Sequence, residues 1–459
     1  MRKVSRRWND PLVVGLVAAV IRLVWVGFMS RRPVGLSDPA IYQAAANSIS
    51  KGLGYRSITG TVTAYYPPGY PYFLGALKWV VNLVGLDSHF VLVVGVIQAL
   101  LGATTAALVV VIARRLTVSN RHERVVGVAA GLLVAFWPNL IAHSSVLLSE
   151  TLFIAVFTLV ATLLVKAILG DPNPRTLLSW AALLMGVATL IRPQSALLLI
   201  PAAAVAMLIA RIDVRRVATH VGALCIGVVL VVMPWSIRST LALDGLVILS
   251  TNSGDNLCIG FNPDAHGGFG MEPACQTETS YTDGPVQERE RNSELRSEAV
   301  TWALENPQSL PGLGLSKIRL TFDGDHDAIR ALESYGQDQF LSDGTRTALN
   351  RLADGYYFVV LAFAVAGLAV MLFMGDRQRR SGPVGAVLLT IVLVIFLGAL
   401  VPVLSFGDQR FKVPIEPFLA IFAAVAVGEL WRLGQRRRHV GPGGDSVAGV
   451  GSRDADPVP

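Results

Sequence analysis

The feature that most constrains this chain is the gathering of its apolar residues into blocks of about 18–25 residues with short polar stretches between them. A helix of that length crosses about 30 Å of hydrocarbon, and no soluble core needs so many of them. The blocks predict spans at roughly 11–29, 89–113, 125–142, 146–168, 177–191, 195–210, 217–235, 353–374, 383–404 and 412–431. The expected fold is an all-α membrane protein, a polytopic bundle of about ten transmembrane helices with two long loop regions. Only 15% of the residues are charged, against about 25% in a soluble domain.

The net charge of +7 would suit a nucleic-acid binder, but its distribution does not. Basic residues cluster in every second loop: Arg114, Arg115, Arg121 and Arg124; Lys166 and Arg175; Arg211, Arg215 and Arg216; Arg377, Arg379 and Arg380; Arg432 and Arg436 to Arg438. Cationic loops stay in the cytoplasm. This puts the N-terminus (1–10) and the 432–459 tail inside, and the site on the extracytoplasmic face of a cell membrane. The first block lacks a good small-residue cleavage site and reads as a retained span rather than a signal peptide. Residues 11–235 form an N-terminal membrane module, 353–431 its C-terminal helices, and the Gly/Pro/Asp-rich tail from Gly441 reads as disordered. Arg31 and Arg32 are the awkward pair, since they fall on the outer side.

Two outer segments, 30–88 and 236–352, are too long to be simple connections, and such loops are usually functional. The first contains a short helix from Pro39 to Lys51 and an apolar run, Tyr70 to Leu86, read as an interfacial or re-entrant helix. The second carries about half of the acidic residues and an amphipathic helix, Glu288 to Asn306, with Ala299, Trp302 and Ala303 on one side. Cys258 and Cys275 share this loop, where a disulfide is available in an oxidising compartment.

Candidate chemistry falls on these outer ends. Asp38 follows the first span and fits two compatible roles, a general base or a cap for the helix that begins with Pro39. Tyr65 and Tyr66 open a Pro-Pro-Gly-Tyr-Pro turn whose rings suit either a sugar or lipid headgroups. Glu150 enters the fourth span just after His143, and an acid within a span is a functional hypothesis by default; a helix-start carboxylate favoured by the dipole is the alternative. Arg192, Arg238, Arg410 and Lys412 stand at outer loop ends against the charge trend. Arginine forks suit phosphate oxygens, although snorkelling would account for any one of them. Lys317 follows on the helix after Asn306-Pro307. Asn252 and Asn256 lie in an Asn/Gly stretch that could bond sugar hydroxyls or simply turn. No Walker loop, dinucleotide fingerprint, zinc-protease motif or nucleophile elbow occurs. No internal repeat is visible, and the mid-span segments are nearly free of polar residues, which speaks against a transporter. A flippase for a lipid-linked saccharide and a non-catalytic envelope scaffold are the alternatives in other function classes.

In order, these pieces resemble the GT-C class of membrane glycosyltransferases, in the branch of the protein O-mannosyltransferases and the aminoarabinose transferase of lipid A. The resemblance runs over about 11–431. It rests on Ser37-Asp38, Tyr-Tyr-Pro-Pro-Gly-Tyr-Pro, Ser149-Glu150-Thr151-Leu152-Phe153, Arg192-Pro193, Pro234-Trp235-Ser236-Ile237-Arg238, the Asn252 to Pro263 stretch and Arg410-Phe411 with Pro414. It implies inverting transfer of a sugar from a polyprenyl-phosphate carrier to an outer-face acceptor: a lipid, a glycan or a protein. Asp38 would act as base, with Arg192, Arg238, Lys317 and Arg410 on the carrier phosphate. Tyr65, Tyr66, His143, Glu150, Asn252 and Asn256 would line the acceptor and sugar. The expected partners are the lipid-linked donor and membrane lipid, with no nucleic acid. No cofactor or metal is indicated. Many relatives carry two adjacent acids after the first span; here Pro39 follows Asp38.

Overall fold

The computed structural model describes residues 2–116, 123–270, 272–277, 280, 282–374 and 382–439. Arg121, Arg377, Arg379, Arg380 and the tail from Gly441 lie outside them. Among the described residues the regular structure is helical, with two isolated β-bridges.

Eight helical stretches are long and apolar enough to cross a bilayer: Asn9–Met29, Asp87–Leu116, Glu150–Ile168, Pro174–Ile191, Val214–Ala242, Asp343–Phe373, Pro383–Leu404 and Gln409–Leu433. Two expected spans take other forms. The 125–142 block breaks: Glu123–Ala135 and Pro138–Ser145 meet at 56° and together make at most a ninth crossing. Pro138, which has no N–H to continue the ladder, stands at the break. The 195–210 block folds as Gln194–Ile209, a helix of 16 residues with Pro201 inside, shorter than a full crossing.

The elements used below are α1 (Arg2–Met29), α2 (Asp38–Ser50), α3 (Gly69–Leu83), α4 (Phe90–Leu116), α5 (Glu123–Ala135), α6 (Pro138–Ala142), α7 (Glu150–Ile168), α8 (Pro174–Ile191), α9 (Gln194–Ile209) and α10 (Val214–Ala242). The large loop holds α11 (Ser253–Gly260), α12 (Pro285–Glu305), α13 (Leu310–Phe322) and α14 (Asp327–Leu332). The chain then forms α15 (Asp343–Ala369), α16 (Pro383–Leu400) and α17 (Glu416–His439). In the bundle α1 and α5 pack on α4, α4 on α7, α7 on α8, α8 on α10, α16 on α9, and α17 on α15 and α5. Lipid offers no hydrophobic drive between helices, so small residues that bring backbones close do this work. Gly367 of α15 faces the backbone of α17, where a Cβ would come within 1.8 Å of the Phe422 carbonyl oxygen.

The break after α5 exposes backbone carbonyls where no water can serve them. Arg22, fully buried in the first span, answers them: Nη1 donates to Ala135 O at 3.0 Å and Nη2 to Val134 O at 3.0 Å. A cation at a helix C-terminus is also the favoured sign. Replacing Arg22 by Met leaves both carbonyls unsatisfied, and the expected cost is about 1–3 kcal/mol. A thermal melt of the purified protein checks this, and an unchanged midpoint would refute the assignment. Gln98, also fully buried, turns to backbone as well, donating to Val146 O at 2.8 Å, and accepts from the Tyr70 hydroxyl at 2.9 Å. Deep polar residues are thus present in the spans, and Arg22 and Gln98 donate to backbone carbonyls.

At the end of the bundle where α1 begins and α4 finishes, Asp10 pairs with Arg114 and with Arg124, the latter at 2.8 Å, and Arg115 pairs with Asp171. At the other end the two long loops interlock. Glu288 on α12 accepts from Thr63 Oγ1 at 2.5 Å, Thr251 Oγ1 at 2.5 Å and Ala64 N at 2.9 Å. Burial still raises its carboxyl above the usual range. Gln337 brackets Leu36, accepting from its N–H at 3.1 Å and donating to its carbonyl at 3.3 Å. Arg31 lies 4.0 Å over the Phe340 ring, so the awkward cation has a loop partner. The buried stripe of α12 is Glu288, Arg291, Leu295 and Ala299, with Trp302 and Ala303 only half-buried. Cys258 and Cys275 are joined by a disulfide.

Candidate functional site

The Tyr66 turn is built on packed aromatic rings. Tyr42, Tyr66 and Tyr70 pack ring to ring at 5.0–5.1 Å, and Tyr65 lies 4.9 Å from Tyr66. This aims the Tyr66 hydroxyl at the start of α2, where it donates to Asp38 Oδ1 at 2.7 Å. The capping role read for this helix start is not taken up. Ser37 Oγ turns back to Val34 O at 3.3 Å, and Asp38 is spent on side chains.

Its second oxygen accepts from Arg410 Nη1 at 2.6 Å. Arg410 stands on a short turn, Gln409–Phe411, between α16 and α17, where Asp408 accepts from its backbone N–H at 2.9 Å. Its Nε donates to Glu150 Oε1 at 2.8 Å, and the same oxygen takes Arg192 Nη2 at 2.5 Å. Arg192 Nε reaches Ser149 Oγ at 3.1 Å. Glu150 is therefore a bridge between two guanidinium groups at the start of α7. It is wholly buried, and Oε2 has no hydrogen-bond partner. Asp38 and Arg410 keep partial access, with side-chain exposures of 27% and 19%, so the cluster opens on the Asp38 side.

A third acid, Asp327, was not foreseen. It is 1% exposed, lies 3.8 Å from Arg410 Nε, and neither of its oxygens has a hydrogen-bond partner. Burial, followed by the charge of Asp408, pushes its carboxyl well above the usual range. Asn139 of α6 holds α14 in place by accepting from Ala328 N at 3.1 Å. Asp325, two residues earlier, accepts from Trp137 Nε1 at 2.7 Å and Asn139 Nδ2 at 2.9 Å, and pairs with Lys412 at 3.0 Å. Lys412 is thus a structural tie, donating also to Gly324 O at 2.6 Å. The signal for these acids was the run Asp-Gly-Asp-His-Asp at 323–327, three acids in five residues of a mostly apolar chain.

The other expected site residues lie elsewhere or face other ways. His143 is buried beside the cluster on a turn before α7, and neither ring nitrogen has a hydrogen-bond partner. Tyr65 donates to Asp255 Oδ2 at 3.1 Å, and Arg291 holds that carboxylate at 2.6 Å. Asn252 accepts from Ser250 Oγ at 2.9 Å within the turn that starts α11, and Asn256 is half-buried on that helix. Arg238 donates to Thr63 O at 2.8 Å and Tyr55 O at 3.2 Å and lies 4.8 Å from the Trp235 ring. Lys317 is fully buried, 3.4 Å from the Phe261 ring centre, and donates to Val403 O at 3.3 Å. Burial lowers its ammonium pKa to about 8. The structure therefore gathers Asp38, Tyr66, Glu150, Arg192 and Arg410, with Asp327, and uses Arg238 and Lys317 to hold loops.

Residues 66–237 match the family model of the dolichyl-phosphate-mannose-protein mannosyltransferases, a segment that contains Tyr66, His143, Glu150 and Arg192. The oligosaccharyltransferase of Archaeoglobus fulgidus in its apo form superposes with a TM-score of 0.53 at 15% identity, covering 94% of this chain and 51% of that one. The same protein, AglB, in complex with an inhibitory peptide and a dolichol-phosphate gives 0.52 at 15% identity, over 97% of this chain and 52% of that one. The chain thus spans about half the length of these structures. ArnT from Cupriavidus metallidurans bound to undecaprenyl phosphate gives 0.40 at 16% identity, over 91% and 77%, a score too low for any conclusion. No curated protein matches significantly. The chain thus shares the fold of the Archaeoglobus fulgidus oligosaccharyltransferase over about half of that protein's length, and a mannosyltransferase family match runs through its central site segment.

Proposed function

We propose that the chain is a glycosyltransferase that moves a hexose or pentose from a polyprenyl-phosphate carrier to an acceptor hydroxyl on the outer face of a cell membrane. The observation that carries the reading is the meeting of Asp38, on the first loop, with Arg410, near the end of the chain, at 2.6 Å. Two guanidinium groups and a partly open carboxylate are the parts such a reaction needs. Arg410 and Arg192 hold the carrier phosphate, whose charge grows as the bond to the anomeric carbon breaks. Asp38 takes the proton of the acceptor hydroxyl as its oxygen attacks that carbon from the opposite side. The polyprenyl phosphate leaves and the anomeric centre inverts. Tyr65, tied to Asp255, and the Asn252 to Asn256 turn form the loop-side wall where sugar hydroxyls find partners. The reading requires no cofactor besides the donor, and the acceptor stays open among lipid, glycan and protein.

The outward direction rests on the basic clusters at the opposite end of the bundle, around Arg114, Arg115 and Arg124. The test is turnover by the purified full chain of a panel of polyprenyl-phosphate hexoses and pentoses, with envelope material from cells lacking the protein as acceptor. One donor is expected to lose its sugar to that material with inverted configuration. If every donor stays intact while the protein speeds its passage across the bilayer, the flippase reading replaces this one.

A further inference from the structure

A polar cleft lies between α2, α3 and the start of α4, apart from the acid–arginine cluster. Its volume is about 340 Å³. The helical repeat puts Gln43, Asn47 and Ser50 on one side of α2, while Tyr42, Ala45 and Ala46 face the core. Lys78 and Asn82, one turn apart on α3, supply the facing wall, with Arg32 and Lys51 at the rim. Three cations thus converge on one acid, Asp87.

The pairing of that acid is uneven. Lys78 is only 8% exposed and lies 4.7 Å from the centre of the Phe90 ring. Its Nζ is 2.5 Å from Asp87 Oδ1, yet the Asp87 side chain is 65% exposed, on a three-residue turn. With its amide turned to donate, Asn82 reaches the same oxygen at 2.8 Å. A buried ammonium and an amide are therefore satisfied by a carboxylate that water can reach and that can swing away. Neither snorkelling nor core packing calls for this arrangement. It is the donor set of an anion site whose present occupant is the chain's own acid.

Size and surroundings narrow the ligand. Pockets for small molecules begin at about 300 Å³, more than a bare phosphate fills. The amides and hydroxyl of Gln43, Asn47 and Ser50 suit hydroxyl groups. Asp87 and Phe90 stand at the start of the Asp87–Leu116 stretch, and the end of a span is where lipid headgroups meet a membrane protein. We propose that this cleft binds a phosphate ester carrying a small polyhydroxyl group, with the phosphate replacing Asp87 on Lys78. The proposal is independent of the transfer reaction, because none of these residues belongs to the Asp38 cluster.

The experiment uses the full-length protein and two probes. One is phosphatidylglycerol mixed into phosphatidylcholine nanodiscs, counted by native mass spectrometry; the other is soluble glycerol 1-phosphate, followed by calorimetry. Asp87→Asn is expected to tighten binding severalfold. Lys51→Gln, at an exposed rim position, should weaken it about fivefold, the worth of one cation near a charged surface. Lys78→Gln should abolish it. Retention of the lipid alone identifies a headgroup site, and equal response to both probes identifies a site for free phosphate esters. Binding by neither wild type nor Asp87→Asn overturns the proposal. So does binding that both lysine variants leave unchanged, and Lys51→Gln keeps that comparison available if Lys78→Gln fails to fold.

Discussion

Replacing Asp38 by Asn is expected to lower sugar transfer by roughly 10²- to 10⁴-fold, the range for removing a positioned general base. The geometry allows a clean substitution. An amide oxygen can still accept from Arg410 Nη1 or from the Tyr66 hydroxyl, which now stand 2.6 and 2.7 Å from the carboxylate. The hydroxyl can rotate to accept from the new NH₂ group, so α2 and the Tyr66 turn should keep their places. What the amide cannot do is take a proton from the acceptor. The loss should therefore appear in kcat, with binding of the polyprenyl-phosphate donor nearly unchanged. Single-turnover rates and donor binding measured on one preparation separate the two. Full transfer by the Asn variant would remove Asp38 from the mechanism, while loss of donor binding alone would make it an anchor for Arg410.

The second large effect is on stability. Glu150→Ala takes away the one oxygen shared by Arg192, at 2.5 Å, and Arg410, at 2.8 Å. Two guanidinium groups then face each other in a site where Arg192 is only 9% exposed. Breaking a buried pair by removing one partner costs about 3–5 kcal/mol, and here two cations lose the same acceptor. The melting point in detergent should fall sharply. Glu150→Gln should be milder, because an amide oxygen can still accept. Combining Glu150→Ala with Arg192→Leu should restore part of the loss by removing the repulsion. A single Ala variant as stable as wild type would show that Glu150 does not hold the pair together.

Much of this architecture is legible in the sequence, and what is not has a physical reason. Apolar blocks mark the spans because the bilayer sets their length. The same blocks do not show where a span breaks, because the break at Trp137-Pro138 depends on Arg22, more than a hundred residues away, satisfying the freed carbonyls. Asp38, Glu150, Arg192 and Arg410 stood out by type and position, as acids and cations at the same membrane end. By the same criterion Arg238 and Lys317 stood out too. A one-dimensional reading cannot tell an arginine that meets a carboxylate from one that meets the carbonyls of Thr63 and Tyr55. Asp327 was hidden in a loop among many other acids. The run Asp-Gly-Asp-His-Asp marks the place, but only its burial 3.8 Å from Arg410 distinguishes Asp327 from its neighbours.

The pairing of Asp38 with Arg410 joins residues 372 positions apart. A ribosome delivers Asp38, Glu150 and Arg192 long before Arg410, so the centre stays unassembled through most of synthesis. During that interval Glu150 has Arg192 for company, while Asp38 has only Tyr66. Any chain that stops short of the last span inserts with its acid exposed and its second guanidinium missing. A truncated product of this gene should thus be inert however well its earlier helices insert. Two separately made fragments, cut in the large loop, should regain activity only when they meet in the same membrane.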